Sequence, residues 1–224
     1  ALARWESPEL GFLPPDTFIP LFEKNGFIVQ LDFYMLKRVC QSYPMKVPGT
    51  GAALVVSVNF SRVTIMHESF IERLLRVVDS ARIPHEVIEV EVTESAFVMD
   101  EEAVIGKLKK LKELGFRLAM DDFGTGYSSL NLLRKLPIDV LKIDCSFLAE
   151  GTDPLRSRSV LKGVLDMADD LGLVTVCEGV ETEEQAAMLH DLGCPVGQGY
   201  VFSKPLPEEE FRARFGLRKP SLSR

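Results

Sequence analysis

The chain has 224 residues, of which 46% are apolar, and a formal net charge of −7 at pH 7. Its length and apolar content fit one domain with a sizeable core, and no apolar run reaches membrane-spanning length. The acidic balance argues against a protein that binds nucleic-acid polymers nonspecifically, because phosphate backbones attract basic surfaces.

Two helices are predicted near the N-terminus. Pro15-Asp16 begins the first and Asn25-Gly26 ends it, since proline suits the first helical turn and glycine the position after the last. A second, amphipathic helix is predicted from Ile28 to Val39. The aromatic residues of this region are expected in the core.

From residue 53 onward, short apolar runs alternate with segments of helical length. The runs predict strands at 53–58, 87–90, 117–120, 140–141, 173–177 and 195–197. Helices are predicted between them over Phe70 to Val78, Glu101 to Leu114, Leu155 to Leu171 and Glu183 to Leu192. Because parallel strands need a crossover element, this alternation predicts a parallel sheet, and the apolar strands indicate burial on both faces.

Polar side chains follow each predicted strand at the point where it ends. They are Asn59, Glu91 with Glu94, Asp121 with Asp122, Lys142 with Asp144, Glu178 with Glu181, and Gln198. Functional groups at the carboxyl ends of many successive strands are typical of a (β/α) barrel. A doubly wound open sheet is the alternative, but it would concentrate its ligands at one switch point.

The segment Asp121 to Leu130 is the most informative stretch. Two adjacent carboxylates without a neighbouring Lys or Arg repel each other and favour a divalent cation between them. Gly124 and Gly126 allow tight turns or a close approach to a ligand. Taken alone, the segment could also be an ordinary surface turn.

The donors at the strand ends are oxygen atoms, which suit Mg²⁺ or Mn²⁺ rather than Zn²⁺. Such ions would also let an acidic cleft accept a phosphate group. The four cysteines have neither metal-type nor paired spacing and are expected to be reduced thiols of a cytoplasmic protein. They are Cys40, Cys145, Cys177 and Cys194.

Each of these polar residues also has a purely structural interpretation. Lys142 could form a salt bridge with Asp144 or another carboxylate, and Asn59 could cap the next helix. The alternatives for the remaining residues are a strand-end bulge at Gln198, a helix start at Glu181 and stacking of Arg4 on Trp5. The alternation of the strand puts Glu89 on the same face as Glu91, and its sequence neighbours indicate no partner for it.

The motifs, taken in order, resemble those of EAL domains, bacterial phosphodiesterases that open cyclic di-GMP. They are Asn59-Phe60-Ser61, Glu91-Val92-Thr93-Glu94, Asp121 to Leu130, Lys142-Ile143-Asp144, Glu178-Gly179-Val180-Glu181, and Gln198-Gly199-Tyr200 with Ser203 and Pro205. The resemblance runs from Ala1 to about Phe211. It implies a (β/α)8 TIM-like barrel of EAL type over residues 1–215, followed by a tail at 216–224.

The resemblance also implies that the chain is N-terminally incomplete. Its opening Ala1-Leu2 would be the end of the Glu-Ala-Leu motif, so that the Glu would directly precede Ala1. Six of the eight expected strands are visible, and one or two N-terminal strands would be missing.

The resemblance implies a two-metal site for Mg²⁺ or Mn²⁺ and a role for each matching residue. The metal ligands would be Asn59, Glu91, Asp121, Asp122 and Glu178. The catalytic residues would be Asp121, Asp122, Lys142 beside the attacking water or phosphate, and Glu178 as general base. Substrate-binding residues would be Arg4 at the phosphate, with Gln198 and Glu181 in the surrounding metal and water network. Glu94 would support the loop after Asp122 and would not be a ligand.

The function implied is metal-dependent hydrolysis of cyclic di-GMP to linear pGpG in bacterial second-messenger signalling. The alternative is a catalytically impaired EAL domain that acts as a cyclic di-GMP receptor or a protein-interaction module; a Glu before Ala1 would favour the enzyme. The 224-residue chain itself is expected to have impaired turnover without that Glu. Other expectations are a possible homodimer, no membrane contact from this segment, and a longer multidomain signalling protein that could be anchored through other segments.

Overall fold

The structure is a computed structural model that describes residues 1–43, 53–98, 100–124, 130–144 and 153–217. Its strands are β1 (Trp5–Ser7), β2 (Gly11–Leu13), β3 (Val56–Asn59), β4 (Ile88–Thr93), β5 (Arg117–Phe123), β6 (Val140–Asp144), β7 (Val174–Glu178) and β8 (Val196–Gly197). Its helices are α1 (Pro15–Asn25), α2 (Ile28–Ser42), α3 (Arg62–Met66), α4 (Phe70–Ser80), α5 (Glu101–Glu113), α6 (Leu130–Lys135), α7 (Pro154–Asp170), α8 (Glu183–Asp191) and α9 (Glu208–Phe215).

The six predicted strands and the predicted helices are confirmed, with shifts of a few residues at their ends. Helix α1 begins at Pro15 and is followed by Gly26 with a φ of 78°. Helix α5 begins after Asp100, whose side chain accepts a hydrogen bond from the Ala103 amide. Side-chain caps of this kind satisfy amide groups that have no partner within the helix.

The chain divides into two compact units. The first comprises Ala1–Val92, Ala96–Arg117 and Leu206–Arg224, and the second comprises Thr93–Ser95 and Leu118–Pro205, as far as these ranges are described. The predicted loop at 125–129 and residues 145–152, including Cys145, lie outside the described residues.

The first unit contains the antiparallel pair β1–β2 and the parallel pair β3–β4. Its core includes three phenylalanine rings, Phe33, Phe60 and Phe70, whose centroids lie 5.3 to 6.3 Å apart. The guanidinium of Arg73 covers the Phe33 ring at 4.0 Å from its centroid. Asn59 of β3 pairs in register with Glu91 of β4, so the two residues lie at the same end of the two strands.

The second unit contains β5, β6, β7 and β8, which pair in parallel in chain order. Most apolar residues of β5 and β6 are buried, and Leu141, Ile143 and the Cys177 of β7 are at most 1% exposed. Because these strands pair in parallel, their carboxyl ends lie along one edge, and Asp144 stands opposite Glu178. Among the described residues of the whole chain, no helix combines the length and apolar character needed to cross a bilayer.

Candidate active site

In the first unit, Asn59 and Glu91 meet at the ends of β3 and β4. The Asn59 Nδ2 donates a hydrogen bond to Glu91 Oε2 over 2.8 Å. Glu91 is only 3% exposed, so this contact satisfies one of the two oxygens of a carboxylate that has little access to water. The prediction that Asn59 could cap the next helix is wrong, because Ser61 is the residue that caps α3, accepting from the Thr64 amide.

Glu89, for which the sequence indicated no partner, is buried and has two. The Ser57 hydroxyl donates to Glu89 Oε1 over 2.8 Å, and Arg117 Nε donates to Oε2 over 3.3 Å. Arg117 lies 28 residues farther along the chain, at the start of β5. This ion pair neutralises the buried Glu89, which accordingly has a structural role.

In the second unit, the two adjacent carboxylates of β5 lie in an irregular part of the strand. The pairing with β6 shifts register between Met120 and Phe123, and Asp122 has a φ of 57°. The Asp122 amide donates to Asp121 Oδ1 over 3.0 Å. Bulges re-aim side chains that would otherwise alternate between the two faces of a strand. Asp121 is partly buried, whereas Asp122 is exposed.

Lys142 of β6 lies between two of the predicted catalytic carboxylates. Its Nζ donates to Glu178 Oε1 over 2.5 Å and lies 4.0 Å from Asp121 Oδ1. The Lys142 side chain is 8% exposed and that of Glu178 is 22% exposed. A buried ammonium of this kind requires nearby negative charge, and its electrostatic interactions are stronger than at the surface. The salt-bridge interpretation of Lys142 is therefore confirmed, with Glu178 as the hydrogen-bonded partner.

The segment after Glu178 is held by main-chain hydrogen bonds to the end of β8. The Gln198 amide donates to the Cys177 carbonyl over 2.8 Å, and the Val180 amide donates to the Gln198 carbonyl over 3.0 Å. At Gly199, an added Cβ would lie 2.0 Å from the Val180 carbonyl oxygen, so only glycine fits this approach. These contacts fix the backbone on both sides of Glu178.

Comparison with known proteins identifies the family. The family model described as "EAL domain" matches residues 1–205. The chain belongs to the EAL domain family. It is 40% identical over 228 residues to the cyclic di-GMP phosphodiesterase NbdA of Pseudomonas aeruginosa, a match that covers 100% of this chain and 29% of NbdA. The chain therefore spans less than a third of that relative's length.

Solved structures of EAL domains resemble this one closely. The PaMucR phosphodiesterase in complex with c-di-GMP matches with a TM-score of 0.86 and 34% identity, over 93% of this chain and 84% of that one. The EAL domain of Mycobacterium smegmatis DcpA matches with a TM-score of 0.76 and 36% identity, over 86% and 87%. These similarities confirm the predicted fold class, an α/β TIM-like barrel of EAL type.

Two of the predicted substrate-binding residues of this EAL domain are exposed and have local contacts. Arg4 donates to the Ala3 carbonyl over 2.7 Å. The Glu181 amide donates to the side chain of Gln185, which also forms a capping box with Thr182 at the start of α8. The helix-start interpretation of this segment is thus confirmed, and a role for either residue in substrate binding remains a prediction.

Glu94 is a buried acidic residue whose carboxylate has no hydrogen-bond partner in the described part of the chain. It lies in a 3-10 turn, Glu94–Phe97, directly after β4 and is 6% exposed. Neither of its carboxylate oxygens has a hydrogen-bond partner there. The loop that it is predicted to support lies at 125–129, outside the described residues, so its role stays a prediction.

The donor chemistry of the EAL domain fits a hard divalent cation. Asp121 and Glu178 already share one cation, the Lys142 ammonium, and both present oxygen atoms to it. In the described residues, no three His, Cys, Asp or Glu side chains are gathered closely enough to hold a metal ion by themselves. Two of the predicted ligands, Asn59 and Glu91, bond to each other in the first unit, and Glu178 bonds to Lys142 in the second.

One local feature of the second unit was missed from the sequence. Cys177 Sγ, which directly precedes Glu178 in the chain, lies 3.4 Å from Cys194 Sγ. The two residues do not form a disulfide, and this contact was not predicted from the sequence. No sequence signal predicts this contact, because Cys177 ends the strand predicted at 173–177, whereas Cys194 precedes the one predicted at 195–197, and parallel pairing alone would place these positions at opposite ends of the two strands.

Proposed function

We propose that this EAL domain hydrolyses cyclic di-GMP to linear pGpG with the help of divalent metal ions. The observation that carries the proposal is the buried Lys142, which holds Glu178 by a 2.5 Å hydrogen bond with Asp121 4.0 Å away. This arrangement combines a carboxylate that can accept a proton with a fixed positive charge that can attract a phosphodiester. Similarity to NbdA and PaMucR supports the choice of substrate.

In the proposed reaction, Glu178 is the general base. A water molecule attacks one phosphorus atom of the substrate and gives a proton to the Glu178 carboxylate. The bond between that phosphorus and one 3′ oxygen breaks, and the leaving oxygen takes up a proton, which yields pGpG. Lys142 orients Glu178 throughout and places a positive charge where the phosphate carries negative charge.

We further propose that the metal ligands are Asn59 and Glu91 in the first unit and Asp121, Asp122 and Glu178 in the second. When bound, two Mg²⁺ or Mn²⁺ ions would activate water and stabilise the charge that develops on the phosphate. They also offset the repulsion that a protein of net charge −7 exerts on an anionic substrate. Arg4, Gln198 and Glu181 are proposed as substrate-binding residues, and Glu94 as the support of the loop that follows Asp122.

The alternative function, a receptor without catalysis, is not favoured, because the proposed base Glu178, its partner Lys142 and the acidic ligands Glu91, Asp121 and Asp122 are present in the sequence. A homodimer remains a prediction. Relatives such as NbdA are much longer than this chain. We propose that this domain likewise belongs to a longer multidomain signalling protein.

The function is tested by incubating the purified protein with cyclic di-GMP and separating the products by chromatography. We expect pGpG with Mg²⁺ or Mn²⁺ and none with a chelator. Glu178→Gln should lower turnover by about 10³-fold, the typical contribution of a general base, while cyclic di-GMP still binds. The matched control is Glu183→Gln, which changes an exposed residue in the first turn of α8 and should leave turnover unchanged.

Each part of the proposal can fail separately. An equal rate in the presence of chelator would remove the metal ions from the mechanism. Unaltered turnover by Glu178→Gln would remove Glu178. Tight binding of cyclic di-GMP without hydrolysis under every metal condition would favour the receptor.

A further inference from the structure

The thiols of Cys177 and Cys194 lie next to each other at the end of β7 and the start of β8. Their sulfur atoms are 3.4 Å apart, and Cys194 Sγ also lies 3.2 Å from the Val196 carbonyl oxygen. The two residues are 17 positions apart in the chain, with helix α8 between them. A separation of this size is a contact between thiols, about 1.4 Å longer than a disulfide bond of about 2.05 Å.

The two thiols differ in their access to solvent. Cys177 is fully buried at 0% exposure, whereas Cys194 is half-buried. A reagent from solvent can therefore reach the Cys194 sulfur first. Cys177 is placed to react only with its neighbour.

Cys194 also differs from Cys40 in acidity. The hydrogen-bonding contact with the Cys177 side chain outweighs the opposing effect of burial and lowers the pKa of Cys194 to about 6. Burial raises the pKa of Cys40 to about 11. The thiolate is the form that reacts with oxidants, so the lowered pKa favours reaction at Cys194 and the raised pKa disfavours it at Cys40.

We infer that Cys194 and Cys177 are a redox modification site at which a hydroperoxide converts the two thiols to a disulfide and thereby lowers the activity of the neighbouring Glu178. The modification stands on the geometry of the two thiols alone. Its effect on activity rests on the proposed phosphodiesterase function.

The chemistry is a two-electron oxidation in two steps. The Cys194 thiolate attacks one oxygen of the hydroperoxide, the O–O bond breaks, and the other oxygen leaves as an alcohol or water after it takes a proton. The resulting sulfenic acid is attacked by the Cys177 sulfur, the S–O bond breaks, and water leaves with the Cys177 proton. Two thiols and one hydroperoxide thus give one disulfide, one alcohol or water, and one further water.

Disulfide formation should disturb Glu178 because Cys177 is held on several sides. Its carbonyl accepts from the Gln198 amide, and it lies in register with Ile143 of β6. To form the bond, the two sulfur atoms must approach by more than 1 Å, and residue 178 is the next in the chain. Displacements of about 1 Å near a reacting group can reduce rates by about 100-fold.

The first test is chemical and does not require any activity. The intact protein is treated with hydrogen peroxide, alkylated, digested without reduction and mapped by mass spectrometry. We expect a cross-linked pair of peptides that contain Cys177 and Cys194, and a loss of two titratable thiols that dithiothreitol restores. Cys177→Ser should instead accumulate a sulfenic acid at Cys194, which dimedone traps.

Two variants serve as controls for that test. Cys194→Ser should abolish the cross-link, and Cys40→Ser should form it like the unaltered protein. Retention of both thiols at an excess of peroxide, or a cross-link that instead contains Cys40 or Cys145, would overturn the inference.

The second test measures the effect on turnover. We expect peroxide to lower hydrolysis of cyclic di-GMP by about tenfold or more, reversibly, and to leave Cys194→Ser unaffected. A disulfide that forms without any loss of turnover would overturn the inhibitory effect but not the modification. If the protein does not hydrolyse cyclic di-GMP before oxidation, the proposed function is contradicted. The mapping experiment would still show whether the Cys177–Cys194 disulfide forms.

Discussion

The two units stabilise poorly hydrated acidic side chains at their strand ends in different ways. In the first, the Glu91 carboxylate accepts a hydrogen bond from a neutral amide, that of Asn59. In the second, Glu178 accepts a hydrogen bond from a full positive charge, the ammonium of Lys142, and Asp121 lies within 4.0 Å of the same group. Both arrangements restrain an acidic side chain that has limited access to water.

The difference indicates different chemical roles. An amide fixes the direction of a carboxylate but adds no net charge, which suits a residue that serves only as a ligand. An ammonium adds a charge that acts on any phosphate nearby, and in a poorly hydrated position this interaction is several times stronger than in water. We therefore expect substitutions in the second unit to affect turnover and those in the first to affect mainly stability and ligand affinity.

The largest effect is expected from removing the lysine. Lys142→Met leaves Glu178 and Asp121 close together without the ammonium, and breaking a buried ion pair typically costs about 3–5 kcal/mol. The free energy of unfolding, measured by urea denaturation, should fall by about that amount, and turnover should be lost.

The matched control for the lysine is Lys162→Met. Lys162 pairs with Asp166 on the exposed surface of α7, where such pairs contribute about 0–1 kcal/mol. If both variants lose the same stability, the special position of Lys142 is not supported.

The next effect concerns the backbone that brackets Glu178. Gly199→Ala would bring a Cβ to 2.0 Å from the Val180 carbonyl oxygen, so the main chain must shift. We expect a loss of about 3 kcal/mol in stability, as for other overpacked positions, together with reduced turnover. Gly106→Ala is the control, since it meets nothing within 4 Å in helix α5 and should be neutral or stabilising. Equal melting temperatures of the two variants would contradict this account of Gly199.

The free energy of unfolding is expected to depend on pH through Asp32, a buried residue of the first unit. Burial, opposed by hydrogen bonds from Thr64 and Ser61, raises the pKa of this carboxyl from 3.8 to about 6. Between these values the folded protein holds a proton that the unfolded chain has lost, so the stability contributed by Asp32 decreases as the pH rises. The shift of about two units corresponds to about 3 kcal/mol.

The measurement is the free energy of unfolding of the unaltered protein and of Asp32→Asn at about pH 4 and pH 7. The variant keeps an oxygen that can accept from Ser61 and Thr64 but cannot ionise. Relative to the variant, the unaltered protein should lose about 2 kcal/mol between the two pH values, most of the full shift. A difference that stays constant with pH would show that Asp32 does not titrate in this range.

The smallest effect is expected at the ion pair of β4 and β5. Arg117→Leu leaves the buried Glu89 with only the Ser57 hydroxyl and should cost about 2 kcal/mol. The double variant Arg117→Leu with Glu89→Leu removes both charges and should recover part of that loss, because paired buried charges gain little over apolar residues. Chemical denaturation of the single variant, the double variant and the unaltered protein measures these differences in the free energy of unfolding. If the double variant is less stable than the single one, Glu89 has a further role.

The sequence was sufficient to predict the features that depend on local patterns. Apolar runs such as 173–177 identify β7, and the Pro15 and Gly26 signals locate both ends of α1. The place of each polar residue in the fold can then be predicted, because it comes directly after the end of a predicted strand. The family resemblance added the roles of these residues, which no local pattern could supply.

The features that the sequence did not predict depend on contacts between distant residues or on backbone irregularity. The partner of Glu89 is Arg117, and the partner of Cys177 is Cys194, each on a different strand or strand end. The irregular pairing at Asp121-Asp122, with a positive φ at Asp122, cannot be read from two adjacent aspartates. The short hairpin β1–β2 was missed because its strands have only three residues each and lack an apolar run.

The ammonium of Lys142 has one further consequence, which concerns how the protein is made. Because the counter-charge for Glu178 and Asp121 is encoded in the polypeptide, a newly synthesised chain can complete this part of its fold before it encounters any magnesium or manganese. Under the proposed metal-dependent function, the supply of these ions in the cell would set the fraction of the protein that is active and not the fraction that folds.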